Sequence, residues 1–217
     1  MATTQAATEQ MIAQQVRTWE VLDERVLSAM HAVPRETFVP AAWRSLAFAD
    51  CALPLPCGKH MLTPMLAGRI LQALDVSPGQ QVLEIGTGSG YLSACLAALG
   101  ARVRTLELHA ELAEAARTNL QRASVREVEV ECADGAALDL EDAYDAIVLT
   151  ASLPVYQTRY ERALRAGGRL FVVVGTAPIM SARLVQRSGP DAFGVQKLFE
   201  TSLEALEHSP TPPEFRF

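Results

Sequence analysis

The sequence predicts an α/β protein with a central, mostly parallel seven-stranded sheet, helices on both faces and an N-terminal helical extension. Three observations carry that expectation. Strand-like and helix-like runs alternate from residue 64 onward, which favours a parallel sheet covered on both sides. A glycine-rich turn, Gly86-Thr87-Gly88-Ser89-Gly90, follows the first of these strands, and Glu107 ends the next.

The opening segment reads as two short helices. "TEQMIAQQVRT" sets Met11, Ile12, Gln15 and Val16 near one face, and "DERVLSAMHAV" repeats the pattern with Val26, Leu27 and Met30. Asp23 suits the N-cap of the second helix and Pro34 its stop. "RETFVPAAWRSLAFADCALPLPCG" has no sustained period and reads as an irregular connection. "PMLAGRILQAL" then predicts a helix with Pro64 in its first turn, where a missing N–H costs nothing.

The strands follow in order as "QQVLEIG", "RVRTLEL", "EVEVEC", "YDAIVLT" and "GRLFVVVG". Between them, "SGYLSACLAAL", "AELAEAARTNLQRA" and "YQTRYERAL" read as helices. "ARLVQRS" and "VQKLFETSLEAL", joined by the turn-like "GPDAFG", predict an antiparallel hairpin closing one edge. One domain is expected: residues 1–63 supply N-terminal helices and a substrate loop, 64–207 a Rossmann-like core, and 208–217 a proline-rich extended tail. Phe215 and Phe217 in that tail either dock on the domain or extend freely.

A chain of 217 residues can bury a substantial core without disulfides or metals. The net charge of −6 argues against nucleic acid or anionic membrane as a partner, because both need a surplus of Lys and Arg. No apolar run reaches the roughly 20 residues that span a bilayer. Cys51, Cys57, Cys95 and Cys132 form no CxxC pair, and "MATTQAATEQ" lacks the layout of a signal peptide, so a cytoplasmic protein with reduced thiols is expected.

The glycine turn puts pliable backbone and helix-start N–H groups where a nucleotide-type cofactor can approach. Glu107, about 20 residues on, stands where an acid accepts both hydroxyls of a ribose. The dinucleotide fingerprint is G-x-G-x-x-G, whereas this chain has G-x-G-x-G, which argues against a nicotinamide cofactor. Asp134 and Gly135, after the third strand, lie at the same sheet edge, where Asp134 either accepts from an adenine amino group or merely caps a turn. Thr150, after the fourth strand, is placed to face the same pocket.

Other motifs carry less. Cys57 and His60 form C-x-x-H, but no second pair with metal spacing exists, so no metal is expected. His31, His109 and His208 are isolated, which favours surface or capping roles. Ser89 lacks the G-x-S-x-G frame of a hydrolase nucleophile.

"LEIGTGSGY" resembles the glycine motif of class I S-adenosylmethionine-dependent methyltransferases. Together with "AVPRETFVP", "AFADCALPLPCGKHMLTP", "CADG", "YDAIVLTASLP" and "LRAGGRLFVVVG", it is similar in order and spacing to the protein-L-isoaspartate O-methyltransferases over roughly residues 9 to 176. The resemblance implies S-adenosylmethionine as cofactor, held by Glu84, Gly86, Thr87, Gly88, Ser89, Gly90, Glu107, Leu108, Asp134, Gly135 and Thr150. It implies methylation of the isoaspartyl carboxylate in damaged peptides or proteins. A carboxylate is already a nucleophile at neutral pH, so such transfer needs alignment and exclusion of water more than a general base.

Members resembling this chain carry Ser-Gln-Pro in the acceptor loop, with the serine hydroxyl at the active site. Aligned on Pro64, Leu62 takes the serine position and Thr63 the glutamine position, while Asp50 resembles a family position in the substrate loop. Leu62 has no hydrogen to donate. Three explanations stand: Thr63 compensates after a one-residue shift, the acceptor is a different one such as a small molecule, or the chain is a non-catalytic cofactor-binding module. The oligomeric state is not legible in the sequence.

Overall fold

The computed structural model of the chain describes residues 2–212; the expectation for Phe215 and Phe217 lies outside them. A helical run opens the chain: α1 (Ala2–Met11) continues through a wider π turn at Ile12–Val16 and a tight turn at Arg17–Trp19. Glu20, at φ 61°, ends it. α2 (Glu24–Ala32) starts where Asp23 accepts from the Arg25 N–H at 2.8 Å, an N-cap that leaves fewer orphan donors at the first turn. The connecting segment is not wholly irregular. It holds short turns at Arg35–Phe38 and Ala41–Leu46, then a two-residue antiparallel pair, β1 (Leu53–Pro54) with β2 (His60–Met61).

α3 (Pro64–Leu74) begins with Pro64 in its first turn and Thr63 as its N-cap. Gly68 lets α3 approach the opening run closely: a Cβ there would meet Val16 Cγ1 at 2.9 Å. β3 (Gln81–Ile85), α4 (Tyr91–Ala98), β4 (Arg102–Glu107), α5 (Ala110–Arg122), β5 (Val128–Cys132), β6 (Tyr144–Leu153), α6 (Arg159–Arg162), β7 (Leu164–Thr176), β8 (Ile179–Gly189) and β9 (Ala192–Glu200) complete the order.

The seven-stranded sheet runs β5-β4-β3-β6-β7-β8-β9. β5 through β7 are parallel, and β7, β8 and β9 form an antiparallel meander at the edge. Alternate strand residues feed two cores: Val82, Val103, Val148 and Phe171 pack with helices on one face, and Leu83, Ile147, Leu170 and Val172 pack on the other. The strands are therefore apolar on both sides, which is why they read as nearly continuous hydrophobic runs.

Two expected elements are shorter than the sequence suggests. The helix expected over "YQTRYERAL" is the single turn α6, because Leu164 already pairs with Tyr144 at the start of β7. The last strand ends at Glu200, not at Leu206. Residues beyond it leave β8 and dock instead on the end of β6: the Ser152 hydroxyl donates to the Leu203 carbonyl at 3.0 Å, and the Ser152 N–H donates to the Glu204 carbonyl at 2.7 Å. That departure carries residues 201–207 across the carboxyl ends of the parallel strands, into the cavity wall.

Candidate active site

Successive crossovers turn opposite ways at β3, whose neighbours β4 and β6 diverge in sequence. A crevice must open beyond the carboxyl ends of the strands at such a switch point. A cavity of about 460 Å³ lies there, walled by the β3–α4 turn, the ends of β4 and β6, the loop before α3 and residues 201–207.

The glycine turn forms its floor. Gly86 has φ 93°, and a Cβ on it would lie 2.2 Å from the Thr150 hydroxyl oxygen. That hydroxyl donates to the carbonyls of Ile85 (3.1 Å) and Gly86 (2.6 Å), tying β6 to the turn. Thr87 is buried, its hydroxyl 2.7 Å from that of Thr105, so it braces the turn from behind. Gly88 donates its N–H to Glu107 at 2.9 Å, and His109 donates its own to the other Glu107 oxygen at 3.1 Å. The carboxylate is thus oriented by two backbone donors and keeps lone pairs for a ligand.

Glu84 is fully buried at the end of β3 and also lines the cavity. One of its oxygens accepts from the Ser93 hydroxyl; the other has no partner among the described residues. Burial raises its pKa from an ordinary 4.5 to about 7, with the nearby Glu107 adding to the rise and the Ser93 and Thr105 hydroxyls opposing it.

Asp134 takes the capping role weighed for it in sequence and also stands at the cavity. It caps the turn at Gly135–Ala137 by accepting from the Ala136 N–H at 2.9 Å, and it lines the cavity. Its second oxygen lies 2.8 Å from His208 Nδ1. Gly135 is required by packing, since a Cβ there would sit 2.3 Å from Ile85 Cγ2.

On the acceptor side, Leu62 and Thr63 both line the cavity. Leu62 also packs partly against the core. Its carbonyl accepts from Arg35 at 2.7 Å, and the same buried guanidinium donates to the Ala47 carbonyl at 2.9 Å and stacks 4.7 Å over the Tyr91 ring. The Thr63 hydroxyl accepts from the Leu66 N–H at 3.2 Å, so its oxygen is engaged as the cap of α3. Residues 201–207 face this loop, with Lys59 2.5 Å from Glu207 and His60 2.5 Å from Glu204.

The cavity brings together Leu62, Thr63, Glu84, Gly86, Thr87, Gly88, Ser89, Glu107, Leu108, Asp134, Gly135 and Thr150. Two expected positions stand outside its wall. Gly90 caps α4 at φ 84° behind the turn, and Asp50 is exposed on the segment before β1, where the backbone bends before reaching the loop. Cys57 is exposed near Glu111, and no group of three candidate metal ligands occurs among the described residues. His109 and His208 are not isolated: they meet Glu207 and Asp134 respectively, while His31 is exposed in the last turn of α2.

Sequence reasoning missed Arg35, Ser152 and residues 201–207. A buried Arg in "VPRETF" carries no local signal of burial, and Ser152 acts through a segment some 50 residues away.

Sheet order, a glycine turn at the switch point and an oriented acid on the neighbouring strand define a Rossmann-like fold for a nucleotide-type cofactor. Residues 6–203 match the family Protein-L-isoaspartate(D-aspartate) O-methyltransferase (PCMT). The protein-L-isoaspartate O-methyltransferase of Koribacter versatilis is 38% identical over 178 residues, 82% of this chain and 80% of that protein. That of Methanoculleus marisnigri is 39% identical over 183 residues, 83% of each. Among solved structures, a beta-aspartate methyltransferase (PCMT) from Plasmodium falciparum, in complex with S-adenosyl-L-homocysteine, superposes with TM-score 0.79 over 94% of this chain and 98% of that one. At 17% identity that likeness is one of fold. This chain belongs to the protein-L-isoaspartate(D-aspartate) O-methyltransferase family, and is with it an S-adenosylmethionine-dependent methyltransferase.

Proposed function

We propose that the chain transfers a methyl group from S-adenosylmethionine to the carboxylate of an isoaspartyl residue in a peptide or protein. The family match carries this reading, because residues 6–203 include both the cofactor turn and the acceptor loop. Bound S-adenosylmethionine supplies a methyl group on a sulfonium. A carboxylate oxygen forms the new C–O bond as the S–C bond breaks, leaving a methyl ester and S-adenosylhomocysteine.

The donor set suits that cofactor. The unpartnered oxygen of Glu84 lies in a buried wall of the cavity and fits the α-ammonium of the methionine portion. Glu107 keeps lone pairs for ribose hydroxyls, and Asp134 reaches the adenine end if His208 yields its oxygen. Gly86, Gly88 and Ser89 bring backbone close to the ligand, Thr87 and Thr150 hold that backbone, Leu108 and Gly135 line the wall, and Gly90 sets the start of α4. On the acceptor side, Leu62 and Thr63 shape the loop, while Asp50 stands exposed outside the cavity wall and takes no part in this reading. With no general base required, the protein's task is to align the carboxylate with the methyl and keep water out.

An isoaspartyl peptide incubated with the protein and labelled cofactor is expected to gain base-labile methyl, and its normal aspartyl counterpart none. Equal labelling of both peptides, or none of either with saturating cofactor, refutes the reading. A second reading, transfer to a small acceptor, rests on Leu62 and on the ion pairs that hold residues 201–207 over the cavity. Turnover of small carboxylic acids without turnover of the isoaspartyl peptide would decide for it.

A further inference from the structure

A carboxylate poised for methylation needs a donor on its non-attacking oxygen, both to orient it and to keep it from rotating away. The loop position expected to carry a hydroxyl holds Leu62, which has none. Several other side-chain donors in the cavity wall are committed, although the Ser89 and Thr201 hydroxyls, like that of Ser202, donate to no group among the described residues. The Thr150 hydroxyl donates to two carbonyls and Thr87 is paired with Thr105, whereas Thr63 caps α3 by accepting, which fixes its oxygen and leaves its O–H hydrogen to donate. Lys59 faces Glu207 and His60 faces Glu204, so each cation already has a carboxylate. The Tyr91 hydroxyl is buried and unpartnered among the described residues, on a residue that lines the cavity.

Residues 201–207 supply a hydroxyl on the side that faces the loop before α3. Their backbone is fixed at both ends: the Thr201 N–H donates to the Met180 carbonyl at 3.4 Å, and the Leu203 and Glu204 carbonyls accept from Ser152. Both Leu203 and its neighbour Ser202 line the cavity; Leu203 packs partly into the core, and Ser202 is exposed. Its hydroxyl has no hydrogen-bond partner among the described residues. Ser202 thus offers a hydroxyl on an anchored backbone, open to an incoming residue and unclaimed by the protein, on the segment facing the loop position that holds Leu62.

We infer that Ser202 is the acceptor-side hydroxyl of this enzyme, taking from the opposite wall the position-holding role that Leu62 cannot fill. This rests on the carboxyl-methylation reading above. The Ser202 O–H donates to one oxygen of the isoaspartyl carboxylate while the other attacks the methyl group. No proton moves in the step, since the carboxylate arrives ionised.

The test uses the whole chain loaded with S-adenosylhomocysteine for peptide affinity by calorimetry, and with S-adenosylmethionine for kcat/KM. Ser202→Ala is expected to lower kcat/KM by about tenfold to a hundredfold, the usual effect of losing a hydrogen bond to a charged group. It should weaken isoaspartyl-peptide binding and leave cofactor affinity unchanged. Ser202→Thr, which keeps the hydroxyl, is expected to retain most activity, and Leu62→Ser in the Ser202→Ala background to restore part of it. Ser202→Ala matching the wild type in both peptide affinity and kcat/KM overturns the inference. If the wild type forms no ester, the functional reading fails, and peptide affinity still judges Ser202: a loss supports its role in binding, and no change removes it. A wild type that binds no isoaspartyl peptide sinks both.

Discussion

Glu84 offers a prediction whose size can be worked from its surroundings. Its carboxyl is fully buried with one oxygen unpartnered, and its pKa rises from 4.5 to about 7 in the folded protein. A folded-state pKa above the unfolded one means that the native protein binds the proton more tightly. The resulting stabilisation is complete below about pH 4.5 and is lost as the pH climbs through about 7. At ~1.36 kcal/mol per pH unit, that interval corresponds to about 3 kcal/mol. Denaturant unfolding of the cofactor-free protein between about pH 5 and about pH 8.5 should therefore show the wild type losing most of that amount relative to Glu84→Gln, which cannot titrate. Saturating S-adenosylhomocysteine should flatten the wild-type slope, because its ammonium favours the ionised form. Near pH 6, calorimetry in buffers of different ionisation enthalpy should register proton release on binding. Parallel wild-type and Glu84→Gln curves across the range would refute the reasoning. The unpartnered oxygen would then be satisfied by something other than a proton or the cofactor.

Three further outcomes are expected. Gly86→Ala forces a Cβ to within 2.2 Å of the Thr150 hydroxyl at φ 93°, so a drop in melting temperature should accompany a loss of S-adenosylhomocysteine binding of at least tenfold; near-normal binding would show that the turn yields without harm. Arg35→Met leaves the Ala47 and Leu62 carbonyls without their donor, and denaturation should show a loss of about 2–4 kcal/mol, with acceptor KM rising more than cofactor KM. Glu207→Gln removes the carboxylate shared by Lys59 and His109, and stopped-flow measurement should show S-adenosylhomocysteine leaving severalfold faster, the difference shrinking in high salt.

The fold was legible where the signal was local. Apolar runs of strand length, the glycine turn and Pro64 at a helix start each depend on a few neighbouring residues, and each stands where expected. The misreadings came where a distant partner overrode a local preference. "VQKLFETSLEAL" keeps an apolar alternation past Glu200, but Ser152 offers the backbone of residues 203–206 a better set of hydrogen bonds than β8 does. "YQTRYERAL" has the composition of a helix, yet the chain must return to pair Leu164 with Tyr144, which leaves room for one turn.

The two halves of the site differ in legibility for the same reason. The proposed cofactor half is assembled from the ends of adjacent parallel strands, so Glu84, Glu107 and Asp134 recur at the spacing of the βα units and can be counted off in sequence. The proposed acceptor half is assembled from segments with no such periodicity: Arg35 from a turn after α2, Leu62 before α3, and Ser202 beyond the last strand. A substitution at Leu62 therefore looks like a loss when the loop is read alone. The hydroxyl that would offset it lies 140 residues along the chain, on a segment that Ser152 helps to hold at the cavity. If that is so, Ser152→Ala should mimic Ser202→Ala in acceptor KM while leaving the side chain of Ser202 in place, and S-adenosylhomocysteine affinity should change less than peptide affinity. Equal losses of both would mean that residues 201–207 serve the cavity as a wall and not as a source of the acceptor's donor.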